Sequence, residues 1–223
     1  MKKLFFILLI FSSPFLFATK VAVAIKIAGS VLLYHEGSGN KQTLKPGSPL
    51  KSHDKIVTGK NGYALIMYLD DKTTLKILKN STLEILGDRS GRTINKSIDI
   101  NYGKVAANVK PQNGKDFTIS TPTSVASVKG TEFAVSSDPS TGDSFTLLEG
   151  LIEVTNSVTG QSTDVQEGET AISTPEGSLD VSQTTEEDLD NFEDANIEMP
   201  AQELKFELED EEGNIKKIII KFQ

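Results

Sequence analysis

The chain predicts an all-β fold, a solenoid-like or sandwich-like stack of short strands, with a short acidic helix and a C-terminal β-hairpin. Three observations predict it. Apolar and polar residues alternate in short runs, as at Leu75, Ile77, Leu83 and Ile85, which buries one face of a strand and leaves the other wet. Turn signals rich in Gly, Pro, Asn and Asp recur between these runs. No window before residue 184 sustains the 3.6-residue apolar spacing of a helix. Many short strands with regular turns mean a sandwich, a barrel or a solenoid.

The elements follow in order. Residues 1–18, "MKKLFFILLIFSSPFLFA", have Lys2 and Lys3 ahead of an apolar run, the pattern of a secretory signal peptide. The run is short of the roughly 20 apolar residues that span a bilayer. Cleavage after Ala18 is the first choice. Cleavage after Ala24 suits the small-residue rule better but cuts into the first strand. The chain is therefore expected to be exported, to the periplasm or the cell exterior, with no transmembrane helix after signal cleavage.

Residues 19–183 are expected to form the β domain. "VAVAIKI" and "SVLLYH" flank a turn at Gly29. "YALIMYL" and "TTLKIL" flank the polar turn at Asp70-Asp71. Gly87 to Ser97 reads as a polar loop, and Ser136 to Ser144 as a long hairpin tip. Glu149-Gly150 and Glu167-Gly168 each read as a tight turn between apolar arms. A faint echo between "IVTGKNGYALIMYL" and "ISTPTSVASVKGTEF" favours stacked repeats. Residues 184–202 are an acidic linker with a short helix, signalled by Thr184 and Glu187 in capping-box spacing. Residues 203–223 are a hairpin, with Leu204, Phe206 and Leu208 on one arm and Ile218, Ile220 and Phe222 on the other. Such a hairpin is barely stable alone. These six residues are the candidate partner-binding set, and the last strand is a candidate for self-association.

Composition excludes several function classes. The 223 residues include no Cys, no Trp and two His. Disulfides, thiol catalysis and Cys-based zinc sites are ruled out. Between Glu186 and Glu212 the net charge is −12, while Thr19 to Thr185 is near neutral at −1. Neither part is a basic surface, so no nucleic acid is expected as a partner. No Ser-His-Asp set, calcium ladder or marked carboxylate pair is readable, so no catalytic, cofactor-binding or metal residues are named and no enzyme activity is expected.

The stretch "TPTSVASVKGTEFAV", Thr121 to Val135, carries the sharpest signal. Its Lys129-Gly130-Thr131 lacks the upstream glycine and following helix of a phosphate loop. Ala126 and Val128 are apolar at even positions, Phe133 and Val135 at odd ones. The buried face thus shifts by one residue, which reads as a β-bulge at Gly130. The alternative is that Lys129 and Thr131 form an exposed ligand contact. The structural motif comprises Thr121, Pro122, Val128, Lys129, Gly130, Thr131 and Phe133.

This stretch resembles the most distinctive motif of the FecR domain: Thr-Pro, small residues, Val, a basic residue, Gly-Thr and an aromatic. "LKPGSPLKSHDKIVTGKNGYALIMYLDDKTTLKIL", "INYGKVAANV", "TLLEGLIEV" and "VQEGETA" flank it in the family's order, so the resemblance covers about Ile25 to Ser173. It implies an extracytoplasmic β domain. In the best-known members that domain belongs to a transmembrane anti-sigma regulator that senses an outer-membrane iron transporter. Here a signal peptide stands in place of the cytoplasmic segment, so the resemblance is expected to transfer the domain and not the sigma-factor role. The expected function is a non-enzymatic, exported binding or scaffold module for a protein or cell-envelope component. The alternative is a sensory subunit whose transducing half is on another polypeptide.

Overall fold

The structure, a computed structural model, describes residues 20–112, 115–193, 203–209 and 215–221. The N-terminal apolar stretch and Phe222 lie outside the described residues. Seventeen strands form one hydrogen-bonded network, and it folds into two layers. β1 (Lys20–Ala28) lies in the first sheet, β2 (Val31–Tyr34) and β3 (Lys41–Thr43) in the second, and β4 (Pro49–Lys51) in the first. β5 (Asp54–Thr58) returns to the second, β6 (Tyr63–Tyr68) and β7 (Thr74–Ile77) form a hairpin in the first, and β8 (Thr82–Ser90) is again in the second. β9 (Thr93–Asn108) is 16 residues long and passes from the second sheet into the first.

Hairpins then alternate between layers. β10 (Phe117–Ser120) and β11 (Ser124–Val128) join the second sheet, β12 (Glu132–Asp138) and β13 (Gly142–Glu149) the first. β14 (Leu151–Asn156) and β15 (Ser162–Gln166) join the second, β16 (Glu169–Ser173) and β17 (Leu179–Gln183) the first. The first sheet reads β4-β1-β6-β7-β9-β12-β13-β16-β17, the second β3-β2-β5-β8-β9-β10-β11-β14-β15. Of these pairings, β9 with β10 is parallel and the rest are antiparallel. Both words of the expected fold class therefore apply. The chain advances along one axis like a solenoid, and it packs as a sandwich.

The core lies between the layers. Inward positions of both sheets join one apolar cluster, with Ile66, Leu75, Val105, Phe133 and Phe145 from the first and Leu33, Ile56, Ile98, Phe117 and Ile152 from the second. Tyr68 meets Phe117 edge to face, centroids 6.0 Å apart at 82°. The Tyr68 hydroxyl donates toward the carbonyls of Leu86 and Ser97 in the facing sheet, at 3.3 and 3.2 Å. Burial first, and then Asp70 and Asp71, hold its ionisation far above the usual phenol range.

Several local expectations are corrected. The turns at Gly29, Glu149-Gly150 and Glu167-Gly168 do not join paired strands; each is a crossing from one sheet to the other. Gly87 to Ser97 is a paired ribbon, with Leu86 opposite Ser97 and Ser90 opposite Thr93. Its outer end is solvated on both faces, so no alternation marks it as strand. The Ser136 to Ser144 tip is short, because β12 and β13 pair as far as Asp138 and Gly142.

The helix, α1 (Glu186–Glu193), is capped one residue later than expected. The Asp188 amide donates to Thr185 Oγ1 at 3.2 Å, and the Thr185 amide donates to Asp188 Oδ2 at 2.8 Å. Thr184 faces Thr170 instead. β18 (Glu203–Glu209) and β19 (Ile215–Lys221) pair antiparallel, setting Leu204 opposite Ile220 and Phe206 opposite Ile218.

Candidate functional site

The motif from Thr121 to Val135 spans the sandwich and fastens both of its ends. At one end, the turn Thr121-Pro122-Thr123 joins β10 to β11. Asp143 of the facing sheet is 2 % exposed, and its Oδ2 accepts from the hydroxyls of both threonines, Thr121 at 2.5 Å. The Thr123 amide adds a contact at 3.3 Å to the same oxygen. Pro122 is exposed and pre-sets its own φ, which suits a tight turn. Alongside, the fully buried Asn156 donates to Ser173 Oγ at 2.8 Å and to the Thr174 carbonyl at 3.0 Å. One carboxylate thus ties the tip of one sheet to the start of a strand in the other.

At the opposite end, Lys129-Gly130-Thr131 carries the chain from β11 to β12. The expected bulge is corrected here: the buried face shifts because the chain changes sheets, so Val128 faces the core from one layer and Phe133 from the other. The same change of parity occurs inside β9, between Ile100 and Gly103, where that strand changes sheets. The crossing is pinned by two bonds between Val109 and Thr131, at 2.8 and 3.1 Å, and by the Gln112 amide on the Lys129 carbonyl at 3.0 Å. Gly130 has φ 153°, and a Cβ there would meet Pro111 Cα at 3.2 Å. Gly150 crosses beside it; its Cβ would lie 2.5 Å from Thr131 Cγ2. Thr131 is 5 % exposed, so it is not a surface contact. Lys129 is exposed, beside a shallow depression of about 200 Å³ lined with Ser127, Leu151, Glu153 and Asp164.

Near that end a buried ionic cluster closes the β6–β7 hairpin. Lys96 Nζ lies 2.7 Å from Asp70 Oδ2 and 2.9 Å from Asp71 Oδ2, with the Lys96 side chain 2 % exposed. It also sits 5.8 Å from the Tyr68 ring centroid. Gln112 donates to Asp71 at 2.7 Å, the Thr73 amide donates to Asp71 at 2.9 Å and the Ile94 amide to Asp70 at 2.8 Å. Burial alone would push Asp71 up. The Thr73 amide, Lys96, Gln112 and the Thr73 hydroxyl outweigh it and hold the carboxyl below its usual range. Sequence reasoning placed Asp70-Asp71 in a turn and missed Lys96 and Asp143. Both occupy core-facing parity, Lys96 among Ile94, Ile98 and Ile100, and Asp143 before Phe145 and Leu147. A charge at an inward position is the signal that could have found them.

The histidines are engaged singly. His35 Nδ1 lies 2.6 Å from the buried Asp54, with Gln42 at 2.9 Å on its other nitrogen. His53 lies 2.8 Å from Glu84, and that hydrogen bond raises its pKa. Among the described residues, no three His, Cys, Asp or Glu are placed to hold a metal, and no helix is long and apolar enough to cross a membrane. What the arrangement does chemically is fasten two sheets. Among the described residues, depressions of about 340 and 520 Å³ are lined chiefly by polar side chains.

Comparison with known proteins agrees with this geometry. A crystal structure of a candidate anti-sigma factor from Parabacteroides distasonis ATCC 8503 matches with a TM-score of 0.52 at 15 % identity, over 62 % of this chain and 63 % of that one. A second candidate anti-sigma factor structure from the same organism matches at 0.48 and 16 % identity, over 58 % and 59 %. At 15 % identity the likeness to the first is one of fold, and this chain spans less than two thirds of either neighbour. No curated protein matches the chain in sequence. The family model described as FecR protein matches residues 54–153, a shorter span than Ile25 to Ser173, and both sheets continue beyond it on either side. Residues 54–153, from β5 into β14 and including the Thr121 to Val135 motif, are a FecR domain.

Proposed function

We propose that the chain is an exported, non-enzymatic binding module that serves signalling by engaging a protein partner. The observation that carries this reading is the FecR match over residues 54–153. The neighbour described as a candidate anti-sigma factor favours a regulatory role over a purely structural one. The consumption of Asp70, Asp71, Lys96 and Asp143 in internal contacts supports recognition by surface and strand edges rather than by a reactive cleft. Export is supported by the N-terminal charged and apolar pattern. Val21, Ala22 and Ala24 are fully buried in the first sheet, so processing after Ala18 keeps the core whole and processing after Ala24 does not.

The test is affinity capture of the full mature chain from an envelope fraction, with the mature N-terminus read by mass spectrometry. The expected result is an N-terminus at Thr19 and a retained partner protein. Retention in the cytoplasm with an intact N-terminus would overturn export, and an absence of partner across a range of salt would overturn the binding reading. The second reading, a sensory subunit whose transducing half is a separate polypeptide, is favoured by the same neighbour. It expects that captured partner to be a membrane protein with a cytoplasmic effector domain.

A further inference from the structure

The outer face of the first sheet combines buried small side chains with a basic side. One cross-strand row runs from Lys26 through Leu65, Lys76 and Ala106 to Ala134 and Thr146, and on to Thr170. These positions alternate with core residues, so they point away from the core. Yet Ala134 is 0 % exposed and Thr146 1 %. Ala106, Ser136, Ser144 and Thr170 border them in the same and neighbouring strands. Tyr63 and Leu78 gather with Ala134 in an apolar cluster separate from the core. The face is also basic at its β1–β9 side, where Lys26 and Lys76 flank Leu65 and Lys104 stands in the next row. Burial, and then Lys76, lower the Lys26 pKa, as expected of crowded cations on a partly covered surface.

We propose that the chain's own C-terminal segment, residues 186–223, docks on this face. Charge complementarity is the first argument: Glu186 to Glu212 carry a net −12 in a chain whose β domain is near neutral. Continuity is the second. β17 is the edge strand of the first sheet, and Thr184 Oγ1 lies 3.0 Å from Thr170 Oγ1, which contacts Thr146 at 3.2 Å, so the chain departs along this row. The third is need. The β18–β19 ribbon pairs Leu204 with Ile220 and Phe206 with Ile218, and a two-stranded ribbon requires another surface for stability. Residues 194–202 reach up to about 30 Å when extended, more than the roughly 24 Å of five strand spacings that separate β17 from β7, where Lys76 stands.

Zero-length carbodiimide cross-linking of the full mature chain, read by mass spectrometry, tests the docking. Amide bonds from Lys26, Lys76 or Lys104 to acidic residues in 186–212 are expected in the monomer band. Their yield falls several-fold at high salt, and the yield of the Lys104 bond, whose amine is kept, falls in the Lys26→Glu, Lys76→Glu double variant. If these lysines bond only to residues of the β domain, the proposal is overturned. If the bonds to 186–212 arise only in cross-linked dimers, a second copy is the occupant and docking within one chain is wrong. Should the double variant fold poorly, the salt series on the unaltered chain decides.

Discussion

At the scale of single residues, the molecule spends its buried charges on joining its layers. Asp143 accepts from two threonine hydroxyls of the facing sheet. Asp143→Ala removes the shared acceptor and leaves the buried Thr123 hydroxyl without its carboxylate, while Thr121 keeps the Ser124 carbonyl. The expected loss is about 3 kcal/mol of folding stability, since a buried partner left unsatisfied costs more than its hydrogen bond contributes. Urea unfolding measures it, and Thr123→Val should cost less, because Thr121 still donates. Lys96→Met is the corresponding change at the other end. It leaves Asp70 and Asp71 without their cation, and breaking a buried pair from one side costs about 3–5 kcal/mol. Replacing all three charges with apolar residues should recover most of that loss. A triple variant as unstable as Lys96→Met would show that the cluster does more than balance charge.

At the scale of elements, the crossings between sheets decide the fold, and they were the least legible part of the sequence. The strands themselves were readable, because Leu75, Ile77, Leu83 and Ile85 alternate with polar neighbours. Crossings and hairpins, however, share a signature: a glycine between two apolar arms. Glu149-Gly150 therefore looked like a tight turn, although β13 and β14 never pair. The parity change at Gly130 was visible, but an extra residue in one strand and a change of sheet shift the buried face alike. Lys96 and Asp143 were hidden for a related reason, since their partners are remote in sequence and adjacent only once the layers meet. Gly150→Ala tests the crossing. Its Cβ would press within 2.5 Å of Thr131 and 2.9 Å of the Gly130 carbonyl, in a backbone at φ 100°. Gly37→Ala is the control, at φ 66° with open space around it. Thermal unfolding should show a loss of about 1 kcal/mol for Gly37→Ala, the backbone cost alone. Gly150→Ala should lose clearly more, and equal losses would mean that the crossing tolerates a side chain.

At the scale of the whole molecule, two titrating contacts give the fold opposite dependences on pH. Asp71 titrates below its usual range, because the Thr73 amide, Lys96 and Gln112 outweigh its burial. A carboxyl depressed in the folded state stabilises it fully above the unfolded pKa of about 4. That contribution disappears as pH falls through the folded value. His53 acts in the opposite sense. Glu84 raises its pKa, so its contribution is complete below the unfolded value of about 6.5 and lost as pH rises through the folded one. With its side chain 48 % exposed, that second effect is small. Stability should therefore be nearly level from about pH 5 to 6, decline slightly toward alkaline pH and fall steeply in acid. Asp71→Asn removes the charge but keeps a polar side chain of similar shape. The variant should be less stable near neutral pH and should converge on the unaltered protein as pH falls through the lowered folded value of Asp71, below which both carry an uncharged side chain. Urea midpoints across that range decide it. Parallel curves, with a constant gap into strong acid, would mean that Asp71 holds the hairpin by shape rather than by charge.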